Sequence, residues 1–181
     1  SLALLLPLKS YEPYVIEVDK TTGYLEIKRP LSFGAVTPSE AVTTMFVSRY
    51  VLSRETYDPA NLQKDFNDTQ ALSTGTALKD FHQYYAPESQ QNPVNLYGRR
   101  ARIIPTIKSV NILPDQTAKV RFSLRIIENG SETSTDWLAT VNYAYSEKAV
   151  ENELRFTNPL GFSVCDYRRE QEGVSTGGNS P

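Results

Sequence analysis

The 181-residue sequence contains a single cysteine, Cys165, and a single histidine, His82. An intrachain disulfide is therefore excluded, and a Cys/His zinc site or a Cys-His-Asn triad would have to enlist one of these two residues. Ser-His-Asp chemistry has only His82 to use. Gly23, Gly34, Gly75, Gly98, Gly130 and Gly161 stand apart, so there is no glycine-rich phosphate loop. Neither sign of charge dominates. With 19 Lys plus Arg against 21 Asp plus Glu, the net charge of −2 exerts no general pull toward nucleic acid or anionic lipid. A chain of this length buries roughly 70% of its unfolded surface, so stability requires neither disulfide nor metal. A lone thiol leaves the compartment open.

Long apolar runs are also missing. Ser1-Leu2-Ala3-Leu4-Leu5-Leu6 stops at Pro7-Leu8-Lys9, and six residues cover about 9 Å as helix where a bilayer needs about 20 residues. This stub reads either as a short buried edge segment or as the outer end of a transmembrane helix cut short. Lys9, Tyr11 and Tyr14 just beyond it suit an interfacial flank. Residues 1–10 are accordingly set apart from a single domain over 11–170. Residues 171–181, which end in a Gly/Ser-rich stretch, are expected to be a disordered tail.

Two short alternating runs, Tyr14–Val18 and Tyr24–Lys28, flank a loop ending in Gly23 and predict a hairpin. Thr37-Pro38-Ser39-Glu40 has the order of a capping box, with Pro at the first helical position. The apolar spacing of Ala41, Val42, Met45, Phe46, Tyr50 and Val51 then predicts a helix of about 18 residues ending near Glu55. Asp58-Pro59 signals a second helix carrying Leu62, Phe66 and Thr69. Ser73 or Thr74 caps a third, carrying Ala77, Leu78, Phe81, Tyr84 and Tyr85 and ending at Ala86-Pro87. Pro87–Gly98 reads as loop.

From Arg100 the period changes from 3.6 to 2. Ile103–Ile112, Ala118–Ile127, Trp137–Tyr145 and Leu154–Tyr167 are extended runs, separated by Pro114-Asp115, Asn129-Gly130 and Glu147–Asn152. Helices followed by a four-stranded antiparallel meander is an α+β order, with the helices covering one apolar sheet face. Val120, Phe122, Leu124, Trp137 and Val141 fill that face. Within Leu154–Tyr167, Asn158-Pro159-Leu160-Gly161-Phe162 is expected to kink an edge strand and re-aim Phe162, at a place where a partner chain docks or is blocked.

Candidate chemistry is thin. His82 is expected on a helix flank, without Asp80 facing it. Cys165 is expected as a small buried or half-buried hydrophobe. Tyr97–Arg125 carries seven basic residues (Arg99, Arg100, Arg102, Lys108, Lys119, Arg121, Arg125) and one acidic, while Ile126–Phe156 carries six acidic and two basic. Complementary charge on neighbouring strands accounts for this pattern. A nucleic-acid edge would use Arg99, Arg100 and Arg102 with Tyr97.

The run PLK-x-YEPYVIEVDKTTG, the helix AVTTMFVSRYVLSRETYD, the later LYG, then WLATVNYAY and NPLGFSVCDYR occur in this order. Together they resemble the periplasmic domain of the VirB-eight family, inner-membrane assembly components of bacterial type IV secretion systems, over Pro7 to about Arg169. The resemblance implies a nuclear-transport-factor-two-like fold, a curved four-stranded antiparallel sheet around about three helices. It implies no enzymatic activity and no cofactor. It also implies a single-pass inner-membrane protein with this domain in the periplasm, forming a weak homodimer and contacting VirB-ten-like and VirB-nine-like channel components. A weak contact with translocated DNA stays open on the three arginines. Family dimer contacts carry over to Val42, Met45, Phe46 and Arg49, with Glu153, Asn158, Pro159, Leu160 and Gly161. Ordinary core is the alternative for Val42 and Phe46. A second surface is a groove at Arg54 and Tyr167. The competing class is a small-molecule-binding protein or a lyase or isomerase on the same fold, with His82, or Asp136 beside Tyr143, in a deep cavity.

Overall fold

The computed structural model describes residues 17–18, 25–26, 38–146 and 156–173. The apolar stub at 1–10, Thr37 of the expected capping box, the Glu147–Asn152 turn, Glu153 and residues 174–181 lie outside the described residues. Strands β1 (Glu17–Val18) and β2 (Leu25–Glu26) pair antiparallel, as the two alternating runs require. Helix α1 (Pro38–Glu55) has the expected 18 residues. It directs Phe46, Val47, Tyr50 and Val51 into the core and leaves Met45 outside.

Helix α2 (Leu62–Ala71) starts three residues after Pro59 rather than at it. The Asp58 carboxylate accepts from the Ala60 N–H at 3.0 Å, and this closes a turn instead of capping a helix. Helix α3 (Gly75–Tyr84) has Thr74 at its N-cap position. The Thr74 hydroxyl makes no cap bond and donates to the Val164 carbonyl. The Pro87–Gly98 stretch is not all loop, because Pro93–Tyr97 forms a short helix, α4. Its cause is local: the Asn92 side chain accepts from the Val94 N–H at 2.9 Å, and Pro93 occupies the first helical position.

Strands β3 (Ala101–Leu113), β4 (Thr117–Glu128), β5 (Ser131–Tyr145) and β6 (Phe162–Gln171) form an antiparallel sheet in sequence order. The β4–β5 turn is Asn129-Gly130, both at positive φ, which matches the twist of a two-residue hairpin. Val120, Phe122, Ala139 and Val141 are fully buried on the face under α1. Trp137 is half-buried at its rim, beneath the Arg169 guanidinium at 4.4 Å.

The last strand differs from the expected Leu154–Tyr167. It begins at Phe162 because Asn158 removes the preceding backbone from the ladder. Its side chain accepts from the Phe162 N–H and donates to the Phe162 carbonyl, both at 2.8 Å. Gly161 is at φ 59°, and a Cβ there would lie 2.6 Å from the Ser146 Cβ, so only glycine fits this crossing. Phe162 is then aimed inward onto Phe46, with ring centroids 5.0 Å apart. Cys165 is exposed rather than buried. A register shift at Asn142/Tyr143 places two outward residues, Cys165 and Asp166, between inward Val164 and Tyr167.

Candidate interaction surfaces

Helix α1 and the turn before β6 form one surface. Met45 is 52% exposed, Leu160 48% and Phe156 93%. Arg49, one helical turn from Met45, donates to the Thr157 carbonyl at 3.1 Å and ties the helix to the turn. Pro159 is exposed, whereas Asn158 and Phe46 are buried and support the surface from beneath. Val42 is half-buried against the core. Thr43 extends the same packing, its hydroxyl 2.6 Å from the Tyr145 hydroxyl. Of the residues carried over from the resemblance, Met45, Arg49, Pro159 and Leu160 thus reach solvent, and Gly161 fixes the turn. Phe156 was not anticipated; its place directly before Thr157-Asn158-Pro159 was the available signal.

The second surface is a pocket of about 180 Å³ lined by Arg54, Glu55, Asp80, Tyr84, Gln91, Tyr167 and Arg169. The Arg54 guanidinium lies over the Tyr167 ring at 4.4 Å and donates to the Tyr50 hydroxyl at 2.8 Å. Glu55, the last residue of α1, is buried with two partners. The Tyr167 hydroxyl donates to one carboxylate oxygen at 2.7 Å, and Arg169 pairs with the other. Burial, reinforced by the Glu55 charge, holds the Tyr167 hydroxyl well above the usual tyrosine range. The same causes push Tyr84 up to about 12. Arg54 and Tyr167 line the same pocket, beside Glu55 and Arg169, which the sequence pattern alone does not single out. The period of two along β6 puts Arg169 on the Tyr167 face and was the missed signal.

His82 is exposed, bonded to Gln70 at 2.7 Å and stacked on Phe66. Asp136 is exposed and paired with Lys108 at 2.6 Å. Neither enters the core beside Tyr143, as the enzyme alternative requires. Cys165 donates to the Asn142 carbonyl. The basic stretch is largely spent on ion pairs, Arg102–Asp58, Lys108–Asp136, Arg121–Glu172 and Arg125–Glu132, two of which join it to the acidic stretch that follows. Arg99 is exposed, and Arg100 donates to the Leu96 and Tyr97 carbonyls.

The family model described as VirB8 protein matches residues 1–172. The chain belongs to the VirB8 family. It is 33% identical to the type IV secretion system protein virB8 of Bartonella quintana over 175 residues, 96% of this chain and 74% of that protein. The solved Agrobacterium tumefaciens VirB8 superposes with a TM-score of 0.74 at 24% identity, over 79% of this chain and 99% of that one. A TraE protein, solved in complex with 4-(1H-pyrrol-1-yl)pyridine-2-carboxylic acid, superposes with a TM-score of 0.63 at 25% identity, over 78% and 99%. The α+β fold is therefore the nuclear-transport-factor-two-like fold of VirB8 periplasmic domains. VirB8 proteins are components of type IV secretion systems, and the relatives carry names of that kind rather than of enzymes. Among the described residues, no helix is long and apolar enough to cross a membrane.

Proposed function

We propose that this domain is a non-enzymatic scaffold of a type IV secretion system, self-associating through the face built by Met45, Arg49, Phe156, Pro159 and Leu160. The observation that carries the reading is the Arg49–Thr157 bond, which ties the helix bearing exposed Met45 to a turn that exposes Phe156 and Leu160. Exposed apolar groups on a soluble surface mark contact sites when they cluster. The patch is small, so the contact is weak and forms when copies are held close. An inner-membrane anchor in the residues before the domain, with the domain in the periplasm, would provide that confinement. VirB-ten-like and VirB-nine-like components are the further partners.

Sedimentation equilibrium tests this. The isolated domain is expected to be monomeric when dilute, with a dimer only in the high-micromolar range. Met45→Lys and Leu160→Lys are each expected to weaken that dimer roughly tenfold. A tight nanomolar dimer, or one indifferent to both substitutions, contradicts the reading.

The small-molecule reading is favoured at one place, the Arg54–Tyr167 pocket. Two guanidiniums and two tyrosines beside a cavity suit a small aromatic carboxylic acid, the kind of compound found with TraE. Titration with pyridine-2-carboxylic acid should give millimolar-range binding that falls at least several-fold in Arg54→Ala. Binding equal in the variant rejects this site.

A further inference from the structure

The sheet has three stretches of edge, and two are interrupted or covered in part. On β3, Pro105 offers no N–H, a register shift interrupts Ile107 to Ser109, and Tyr57 exchanges both backbone bonds with Ile103. On β6, Val164 bonds Leu72 and Thr74 in the connection between α2 and α3. The third stretch is open among the described residues. β5 is paired with β4 from Ser131 onward, but its ladder with β6 begins only at Trp137, preceded by the bond from the Glu172 N–H to the Asp136 carbonyl. Ser131–Ser134 are exposed, and this stretch carries no proline, lysine or bulge.

The direction of its backbone groups follows from two bonds. The Asp136 carbonyl points toward β6, and the Tyr143 N–H points toward β4 at Gln116. Even-numbered residues in the unpaired part therefore present their N–H and C=O outward. Glu132 and Ser134 together offer two donors and two acceptors.

We infer that a second copy of this chain pairs here, β5 to β5 antiparallel, about a two-fold axis through Thr133. In that register Glu132 faces the partner's Ser134, and Ser134 faces the partner's Glu132. All four outward groups on each copy are used, and Thr133 meets the partner's Thr133 as a non-hydrogen-bonded pair about 4.5 Å apart. Charge selects the same register. Arg125 lies directly across from Ser134 and is held by its own Glu132 only at 3.7 Å. The pairing brings the partner's Glu132 into line with that guanidinium. An axis on Glu132 would oppose two carboxylates, and an axis on Ser134 would need the Asp136 carbonyl, which Glu172 already holds.

Five residues a side bury far less than the roughly 1,200–2,000 Å² of a stable interface, so this contact is weak unless copies are tethered. It is separate from the Met45 face. A domain with two distinct two-fold contacts links copies into a chain rather than a closed pair.

The test uses the full chain with a histidine tag, held on nickel-lipid vesicles and oxidised with copper phenanthroline. Cys165→Ser with Thr133→Cys is expected to form a disulfide dimer roughly tenfold faster than Cys165→Ser with Glu132→Cys, whose thiols lie beyond disulfide reach in this register. Adding Ser134→Pro to the Thr133→Cys variant is expected to abolish the dimer, and adding Met45→Lys to leave it. Equal rates at positions 132 and 133 overturn the proposal. So does cross-linking that appears only after residues 174–181 are deleted, which would make the chain's own continuation past Glu172 the occupant.

Discussion

Phe46→Ala is expected to destabilise the domain by about 3–5 kcal/mol, the cost of removing a fully buried phenylalanine ring. Phe46 is 2% exposed and stacks on Phe162. Phe162 in turn lies within 5.6 Å of both the Tyr143 and Tyr145 rings. Removing Phe46 takes one ring from a cluster of four and opens a void against the three left, Phe162, Tyr143 and Tyr145. The turn that carries Phe162 has little room to follow, since even a Cβ at Gly161 would lie 2.6 Å from the Ser146 Cβ. Urea denaturation is the measurement, and the midpoint should fall with the slope unchanged. Met45→Ala, one residue earlier, is the control. Its side chain is half in solvent, and a change within about 0.5 kcal/mol is expected. A loss below about 1 kcal/mol at Phe46 would show that the ring is not part of the core.

That contrast shows where the sequence was legible. Both residues stand on the apolar pattern of α1, and the pattern set the length of the helix. It could not say which apolar residue at the margin of the stripe turns outward, because that depends on where the turn at 156–161 sits. The meander was readable for a similar local reason: Asn129-Gly130 and the alternation of Val120, Phe122 and Leu124 each need only their own neighbours. Helix α4 is not legible because five residues carry no period, although Asn92-Pro93 is a start signal. The start of β6 was misplaced because alternation continues through Leu160 and Phe162. What interrupts it is a side chain, Asn158, taking over the bonds of the ladder. Cys165 was misplaced by the register shift in β5–β6, which no single-strand pattern contains. The groove was half legible. Arg54 and Tyr167 stand out in the sequence, while the buried carboxylate joining Tyr167 to Arg169 depends on contacts 112 and 114 residues apart.

That carboxylate sets the other large effect. Arg169→Ala is expected to cost about 3 kcal/mol at neutral pH, because it strands a buried charge whose pairing is lost. The Glu55 side chain is 6% exposed, and the Tyr167 hydroxyl would be its remaining hydrogen-bond partner at 2.7 Å. Urea denaturation at neutral pH is the measurement. Replacing both charges by apolar residues, Glu55→Leu with Arg169→Leu, should recover most of the loss. The same cluster governs the alkaline side. Tyr84 is raised to about 12 and Tyr167 well above its usual value, in each case chiefly by burial and then by the charge of Glu55. Between pH 10 and 12 the unfolded chain therefore gives up these phenolic protons while the folded chain keeps them. The unfolded state then binds fewer protons, so stability falls as the pH rises through this window and is fully retained below it. Glu55→Gln removes one of the two causes and should make the alkaline decline shallower, read as the thermal midpoint against pH. A decline of unchanged steepness would mean that burial alone sets it and that the Glu55 charge does not reach the tyrosines.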